Sequence, residues 1–353
     1  MAEGAVMTKG SMSPTQLRYY INDMTGNYLA WLRQRCNLPI PDDETVSHPR
    51  WHFLFTPEFQ YLNFHPDIRS QVEDLLSGKV ERKYDDAASE IAVHDYIGHM
   101  ASSQALCWNL VLPMKKHDNF APLFDTLKDS LREYTLHTKF DFGIETAVVL
   151  ELNVGRDLRE RRGATSVDLY LRTAEGKVCT IEFKFTEPGL GQCRQPKLGN
   201  CDGRYGSQEY IQRNRGHLCY LSKVGTRYWQ LGAQYGLLDP TKVVDSQADE
   251  IRRCPLNIFY QALRNLMVAK KRSGENLDGE TRGIFVLAAD ERNSAFWGPN
   301  NIFDRFKSYL TEVRGEDKPD VFRVSIQDIA KRFTGALGHY KEFFAVKYGF
   351  PSL

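Results

Sequence analysis

The sequence lacks any apolar run near the ~18 residues that a membrane-crossing helix needs, which excludes a helical span. Its first dozen residues are small and polar, without the apolar stretch of a secretory signal, so the expected location is the reducing cytoplasm. No Gly-x-Ser-x-Gly elbow is present, which removes the usual serine-hydrolase reading. Nothing matches GxxxxGK[ST], so no intrinsic nucleotide motor is expected. Charge of one sign is not in excess either: 46 Lys and Arg stand against 45 Asp and Glu, a formal net charge of +1. A nucleic-acid partner would therefore need a local basic face, and Arg156–Arg162, Arg204–Arg215 and Lys270–Arg272 are the candidate runs, although each alone reads more simply as solvated surface. The seven cysteines are odd in number and include no CxxC pair.

What remains is a 353-residue chain with ordinary globular composition, enough for one core of about 200 to 250 residues with extensions. Residues 1–14 read as a disordered leader, and residues 15–36 as a helix broken near Gly26. Up to residue 90 the chain mixes Pro turns, aromatics and one amphipathic stretch, Ile68–Leu76, and is assigned as an N-terminal extension packed on the core. Residues 91–353 form the main domain. Helices are expected over 91–112, capped by Ser102 or Ser103 and ended by Pro113, and over 121–136. Three strands follow at Thr146–Leu152, Ser166–Leu171 and Val178–Thr186, the last two joined by a polar turn containing Gly176. A helix at Pro255–Lys271, a strand at Gly283–Ala288, a helix near Asn301–Val313, a strand at Val321–Ser325 and a C-terminal helical cap complete the chain. This order predicts an α/β fold with a central mixed sheet flanked by helices.

Chemistry concentrates on the three strands. Side chains alternate along a strand, so Cys179, Ile181, Phe183 and Phe185 form an apolar face. Val178, Thr180, Glu182, Lys184 and Thr186 form the other, and the strand is expected to be half-buried. Glu182 and Lys184 thus stand side by side, ~6.6 Å apart at the backbone. Asp168 shares a face with Ser166 and Tyr170, and pairing through the Gly176 turn brings it toward Glu182. Glu151 closes the first strand, with Glu145 as the alternative upstream carboxylate. Close carboxylates repel unless a cation sits between them, so this grouping is poised for Mg²⁺, which can neutralise a phosphate and activate water. A neighbouring lysine can orient or deprotonate that water and stabilise the transition state.

Asp168, a short hairpin and then Glu182-Phe183-Lys184 is similar to the D…ExK signature of the PD-(D/E)XK, or restriction-endonuclease-like, nucleases; Val167 stands where that signature has its proline. Two further segments resemble an uncharacterised bacterial branch of the superfamily: Ser102-Ser103-Gln104-Ala105-Leu106, and Tyr260-Gln261-Ala262-Leu263-Arg264-Asn265 on the late helix. The resemblance covers roughly residues 95 to 290. It implies a restriction-endonuclease-like core and a nuclease acting on nucleic acid, DNA first, with Mg²⁺ or Mn²⁺. Asp168, Glu182 and Glu151 would be metal ligands, Lys184 the catalytic lysine, and Gln261 and Gln104 would orient water or phosphate. Arg264, Arg213, Lys270 and Lys271 would contact the phosphate backbone, and a homodimer would serve cleavage of both strands. The other reading is a non-catalytic nucleic-acid-binding or complex-assembly subunit that keeps the fold, against which stand the intact Asp168, Glu182 and Lys184.

Cys193, Cys201, Cys219 and Cys254 follow the ExK strand. Some RecB-like relatives hold an iron–sulfur cluster on four cysteines, and Zn²⁺ also takes four thiolates. The spacings here, seven, seventeen and thirty-four intervening residues, favour free thiols. Cys36, Cys107 and Cys179 read as ordinary buried cysteines. His94 and His99 lack the i, i+4 spacing of two ligands on one helical face and read as packing or capping residues.

Overall fold

The computed structural model describes residues 12–36, 55, 57–77, 97–132, 140–160, 166–201, 219–239, 254–274, 283–315 and 320–350. Its sheet grows from the hairpin expected at Gly176, whose φ of 78° suits a residue without a Cβ. Thr173 and Lys177 close that turn through a backbone hydrogen bond of 2.9 Å. Strand β1 (Ala147–Asn153) pairs antiparallel with β2 (Ser166–Arg172), and β2 with β3 (Val178–Lys184). After a long excursion β4 (Gly283–Ala289) joins β3 in parallel, and β5 (Val321–Ser325) joins β4 in parallel. The result is a five-stranded mixed sheet in the order β1-β2-β3-β4-β5, the mixed α/β architecture expected.

The helices cover both faces. On one side lie α1 (Pro14–Cys36), α2 (Arg69–Leu76), α3 (Ser103–Lys116) and α4 (Ala121–Ser130), with α7 (Ile326–Lys331) and α8 (Tyr340–Tyr348). They share one apolar cluster with Cys179, Ile181, Phe183 and Phe185 of the third strand's run and Ile284, Val286 and Ala288 of β4. On the other side α5 (Tyr260–Arg272) and α6 (Ile302–Arg314) pack against Val178, Phe285, Leu287 and Ala289. Alternation along the strand sorts β4 into these two layers residue by residue.

Three local expectations give way. The helix α1 runs unbroken through Gly26, because Leu17, Ile21, Tyr28 and Leu32 bury one stripe while Gly26 meets nothing within 4 Å. The helix α3 continues past Pro113 to Lys116. Every residue from Gln104 to Met114 is buried, and that packing outweighs the one backbone donor that proline forfeits. Third, β3 is buried on both faces, not one. Its polar face lies under α5, whose own polar flank, Arg264 and Asn265, is buried with it. Burying charge this way demands partners, and they define the site.

Candidate active site

The β1–β2 and β2–β3 registers place Glu151 opposite Asp168 and Asp168 opposite Glu182, a row of carboxylates across three neighbouring strands ~4.8 Å apart. The β1–β2 ladder skips the Glu151–Asp168 step and resumes at Leu152 and Val167 without an inserted residue. There Glu151 takes a φ of 50°, left-handed backbone that costs a non-glycine residue roughly 1–3 kcal/mol. Three donors hold its side chain. Trp108 Nε1 donates to Oε1 at 3.1 Å and Ser166 Oγ to Oε2 at 2.8 Å. Gln104 hydrogen-bonds it as well. Burial pushes the Glu151 carboxyl up to about 7, with these donors pulling against the rise. Glu145, the alternative upstream carboxylate, is exposed in the turn before β1.

Glu182 is buried at 2 % exposure between two partners. Lys184 Nζ donates to Oε1 at 2.8 Å, and Asn265 Nδ2, from α5, to Oε2 at 2.7 Å. Burial alone would raise its pKa, but the charges of Lys184 and Arg264 and these hydrogen bonds outweigh burial and hold it below its usual value. Lys184 shows the complementary balance: burial pulls it down, but Glu182, Glu187 and Asp168 lift it above the ordinary lysine range, so it is a cation at neutral pH. Asp168 keeps more exposed surface than its neighbours and accepts the Phe183 N–H at 2.8 Å. Burial, then Glu182 and Glu151, push its carboxyl well above the usual range. One ammonium thus serves a row of three carboxylates, an arrangement a divalent cation would relieve.

The four strand residues expected at the site come together. Gln104 joins them from α3, with Ser102 capping that helix through the Ala105 N–H at 3.2 Å. Gln261 lies one turn of α5 before Asn265, packed on Gly191, where a Cβ would meet its Cγ at 2.6 Å. Arg264 is buried rather than presented to a backbone phosphate: it donates to Asn265 Oδ1 at 3.1 Å and to Ser166 O at 2.9 Å. Lys270 is likewise turned inward, 2.7 Å from Asp320, and Lys271 and Arg272 are paired with Asp157 at 3.2 and 2.8 Å. The expected Lys270–Arg272 patch is therefore neutralised by its own acidic partners. His94 and the whole of Arg204–Arg215, Arg213 included, lie outside the described residues.

Among the described residues, the potential metal ligands whose donor atoms all lie within 4.8 Å of one another are His65, Asp67 and His339, none of them a carboxylate of the row. His339 Nε2 and Asp67 Oδ2 are 2.8 Å apart, and His65 Nδ1 accepts the Asp67 N–H, so this group is tied together internally by an N-cap and a side-chain hydrogen bond.

A family model described as restriction endonuclease associating with ARP matches residues 30–349. The chain belongs to this family. The match extends well beyond residues 95 to 290, on which the sequence resemblance rests, and takes in all five strands as well as α8. No curated protein and no solved structure matches the chain. Within this restriction-endonuclease family member, the site residues that sequence reasoning missed are Trp108, Ser166, Asn265 and Glu187. Trp108 and Asn265 each sit four residues after a glutamine singled out for the site, which places them on the same helical face. Ser166 precedes Asp168 by two, which places it on the same strand face. Periodicity thus carried a signal for three of them.

Proposed function

We propose that this chain is a metal-dependent nuclease that hydrolyses phosphodiester bonds of DNA at the Glu151–Asp168–Glu182–Lys184 row. The observation that carries the reading is the row of carboxylates on β1, β2 and β3, two buried and Asp168 half-buried, with a charged lysine 2.8 Å from Glu182. All the row's acidic donors are hard oxygens, and two of the three carboxyls are pushed upward by burial and then by their acidic neighbours, so the set fits Mg²⁺ or Mn²⁺. Bound there, such an ion would neutralise phosphate charge and acidify a water. Asp168 and Glu182 would hold it, with Glu151 completing the set. Asn265 and Lys184 fix the two Glu182 oxygens, so the carboxylate is oriented before any substrate arrives. Lys184 stays protonated, which makes it an electrostatic and hydrogen-bonding group for the attacking water and the pentavalent phosphate, not a base. Water adds to phosphorus, the bond to one ester oxygen breaks, and that oxygen leaves with a proton as an alcohol. Gln104 supports Glu151, and Gln261, in the first turn of α5, would orient water or phosphate.

Supercoiled plasmid, linear duplex, single-stranded DNA and RNA, each incubated with Mg²⁺, Mn²⁺ or EDTA, test this reading beside Glu182→Ala and Lys184→Ala. Cutting of DNA that requires the metal and disappears in both variants is expected. The family's description, association with ARP, favours a second reading, an assembly subunit that binds without cutting. A folded wild-type chain that binds DNA with steep salt dependence but cuts nothing, alone or beside its ARP partner, would establish that second reading instead.

A further inference from the structure

The segment leading into α2 and the start of α8 come from opposite ends of the chain and meet at a cluster of imidazoles. His65 caps the short 3-10 helix Pro66–Ile68, its Nδ1 accepting the Asp67 N–H at 3.2 Å. His339 immediately precedes α8, and its Nε2 stands 2.8 Å from Asp67 Oδ2 across 272 positions of sequence. One donor atom from each of His65, Asp67 and His339 lies within 4.8 Å of the other two. Tyr340 walls the cluster, its ring 4.3 Å from that of His65 and 4.1 Å from that of His339. Among the described residues, no three of Cys193, Cys201, Cys219 and Cys254 come as close.

A further imidazole stands beside this group. His117 ends α3, with its ring 6.3 Å from that of His339 and 6.2 Å from that of Tyr340. Its Nε2 is buried and has no hydrogen-bond partner among the described residues. A buried polar atom without a partner calls for an explanation, and an absent ion beside it is one.

From this geometry we propose that His65, Asp67 and His339 hold a Zn²⁺ ion that clamps the N-terminal elements to α8, with His117 as the fourth ligand. The site is independent of the nuclease reading. Three imidazoles and one carboxylate suit a borderline divalent cation, whereas the all-oxygen row suits the hard Mg²⁺. Tetrahedral Zn²⁺ with bonds of about 2.0 to 2.1 Å spaces its ligand atoms about 3.3 Å apart, so the three donors need move little and the His117 ring turns inward to join them. Binding is a ligand exchange without redox change: the ion sheds water, and the imidazoles and the carboxylate supply lone pairs. His339 Nε2 and Asp67 Oδ2 trade the hydrogen bond between them for bonds to the ion, the ring proton moving to Nδ1. Coordination also ends the long N-cap bond of His65. Through Nδ1 it takes the lone pair; through Nε2 it moves the ring proton onto Nδ1. The side chains of Asp67 and His339 are 43 % and 48 % exposed, which gives the ion its way in.

The test uses the full chain, stripped with EDTA, dialysed and titrated with Zn²⁺ alone against a chromophoric zinc indicator under reducing conditions. One Zn²⁺ per chain is expected, bound equally well by Glu182→Ala and not displaced by millimolar Mg²⁺. Asp67→Ala and His339→Ala, both at exposed positions, should each weaken binding at least about 100-fold, beyond what losing an outer partner of a ligand generally does. Zn²⁺ should raise the melting temperature of the wild type but not of those two variants. Co²⁺ in place of Zn²⁺ should give the visible bands of a nitrogen- and oxygen-ligated centre without a thiolate charge-transfer band. Zinc bound as tightly by Asp67→Ala and His339→Ala as by the wild type overturns the site, as does a thiolate band with Co²⁺ or no binding at micromolar zinc. Unchanged affinity in His117→Ala removes that residue from the ligand set.

Discussion

Asn265 is the residue on which the acidic row's geometry most depends without itself carrying charge. Its 2.7 Å bond fixes the Glu182 oxygen that Lys184 leaves free. Asn265→Ala should leave the fold intact but weaken metal activation by about 10- to 100-fold, as loss of a ligand-orienting partner generally does. A titration of cutting rate against Mg²⁺ checks this; an unchanged half-saturation would show that Glu182 needs no such anchor. Glu151 makes a prediction of opposite sign. Burial lifts its carboxyl from 4.5 to about 7. In metal-free protein the unfolded chain therefore ionises first as pH rises past 4.5, and stability falls until pH 7 is passed. The full effect is about 3 kcal/mol, before allowance for hydrogen bonds that glutamine would weaken. Glu151→Gln in EDTA should thus melt higher than wild type at pH 8, by an amount that vanishes near pH 4.5, while losing nuclease activity. Equal melting shifts at both pH values would contradict a buried, raised carboxyl.

At the scale of elements, the strands and their hairpin were legible because alternation is written directly into Ser166–Arg172 and Val178–Lys184, and because glycine marks the turn. The acidic row followed from that phase. Elements that depend on tertiary packing were not legible. Pro113 inside α3 and Gly26 inside α1 violate local propensity, and only burial against the sheet and α8 explains their tolerance. Nor could alternation reveal that the polar face of β3 is roofed by α5, since covering it requires the buried partners Asn265 and Arg264, far away in sequence. The contact between α5 and β4 is close enough to test. A Cβ on Gly283 would lie 2.5 Å from backbone atoms of Ala269 and Lys270, which have no side-chain freedom to yield. Gly283→Ala should therefore pry α5 from the sheet, costing about 3 kcal/mol or more and pulling Asn265 off Glu182. Gly26→Ala, with open space around it and helical backbone, should instead stabilise by up to about 1 kcal/mol. Thermal melts of the pair check both signs, and a neutral Gly283→Ala would mean the two elements are less tightly fitted.

Across the whole molecule, the N-terminal elements and the C-terminal helix meet over α3, the helix that also supplies Gln104 and Trp108 to Glu151. Tyr28 stacks edge-on to Phe343, Asn109 donates to Tyr348 Oη at 2.9 Å, and Lys347 donates to Asn63. His65 sits in this seam, its ring 4.3 Å from Tyr340 and its Nδ1 accepting the Asp67 N–H. Burial lowers it from 6.5 to about 4, with Asp67 pulling against the fall and His339, Arg69 and Lys116 adding to it. Burial, then Arg18, lowers His99 equally. A base depressed in the folded state keeps its contribution above pH 6.5 and loses it as pH falls toward 4, because the unfolded chain takes the proton first. At pH 5 each histidine should cost about 2 kcal/mol. Acid thus acts on the molecule with two signs: it relieves the crowded carboxylates of the row and loads the histidines of the seam. His65→Gln, which keeps an acceptor for the Asp67 N–H, should narrow the loss of stability between pH 7 and pH 5 relative to wild type in EDTA. Glu151→Gln should widen it, because it removes the compensating gain. Denaturant unfolding of the two variants across that range separates the sites, and parallel profiles would mean that neither group carries the shift its burial implies.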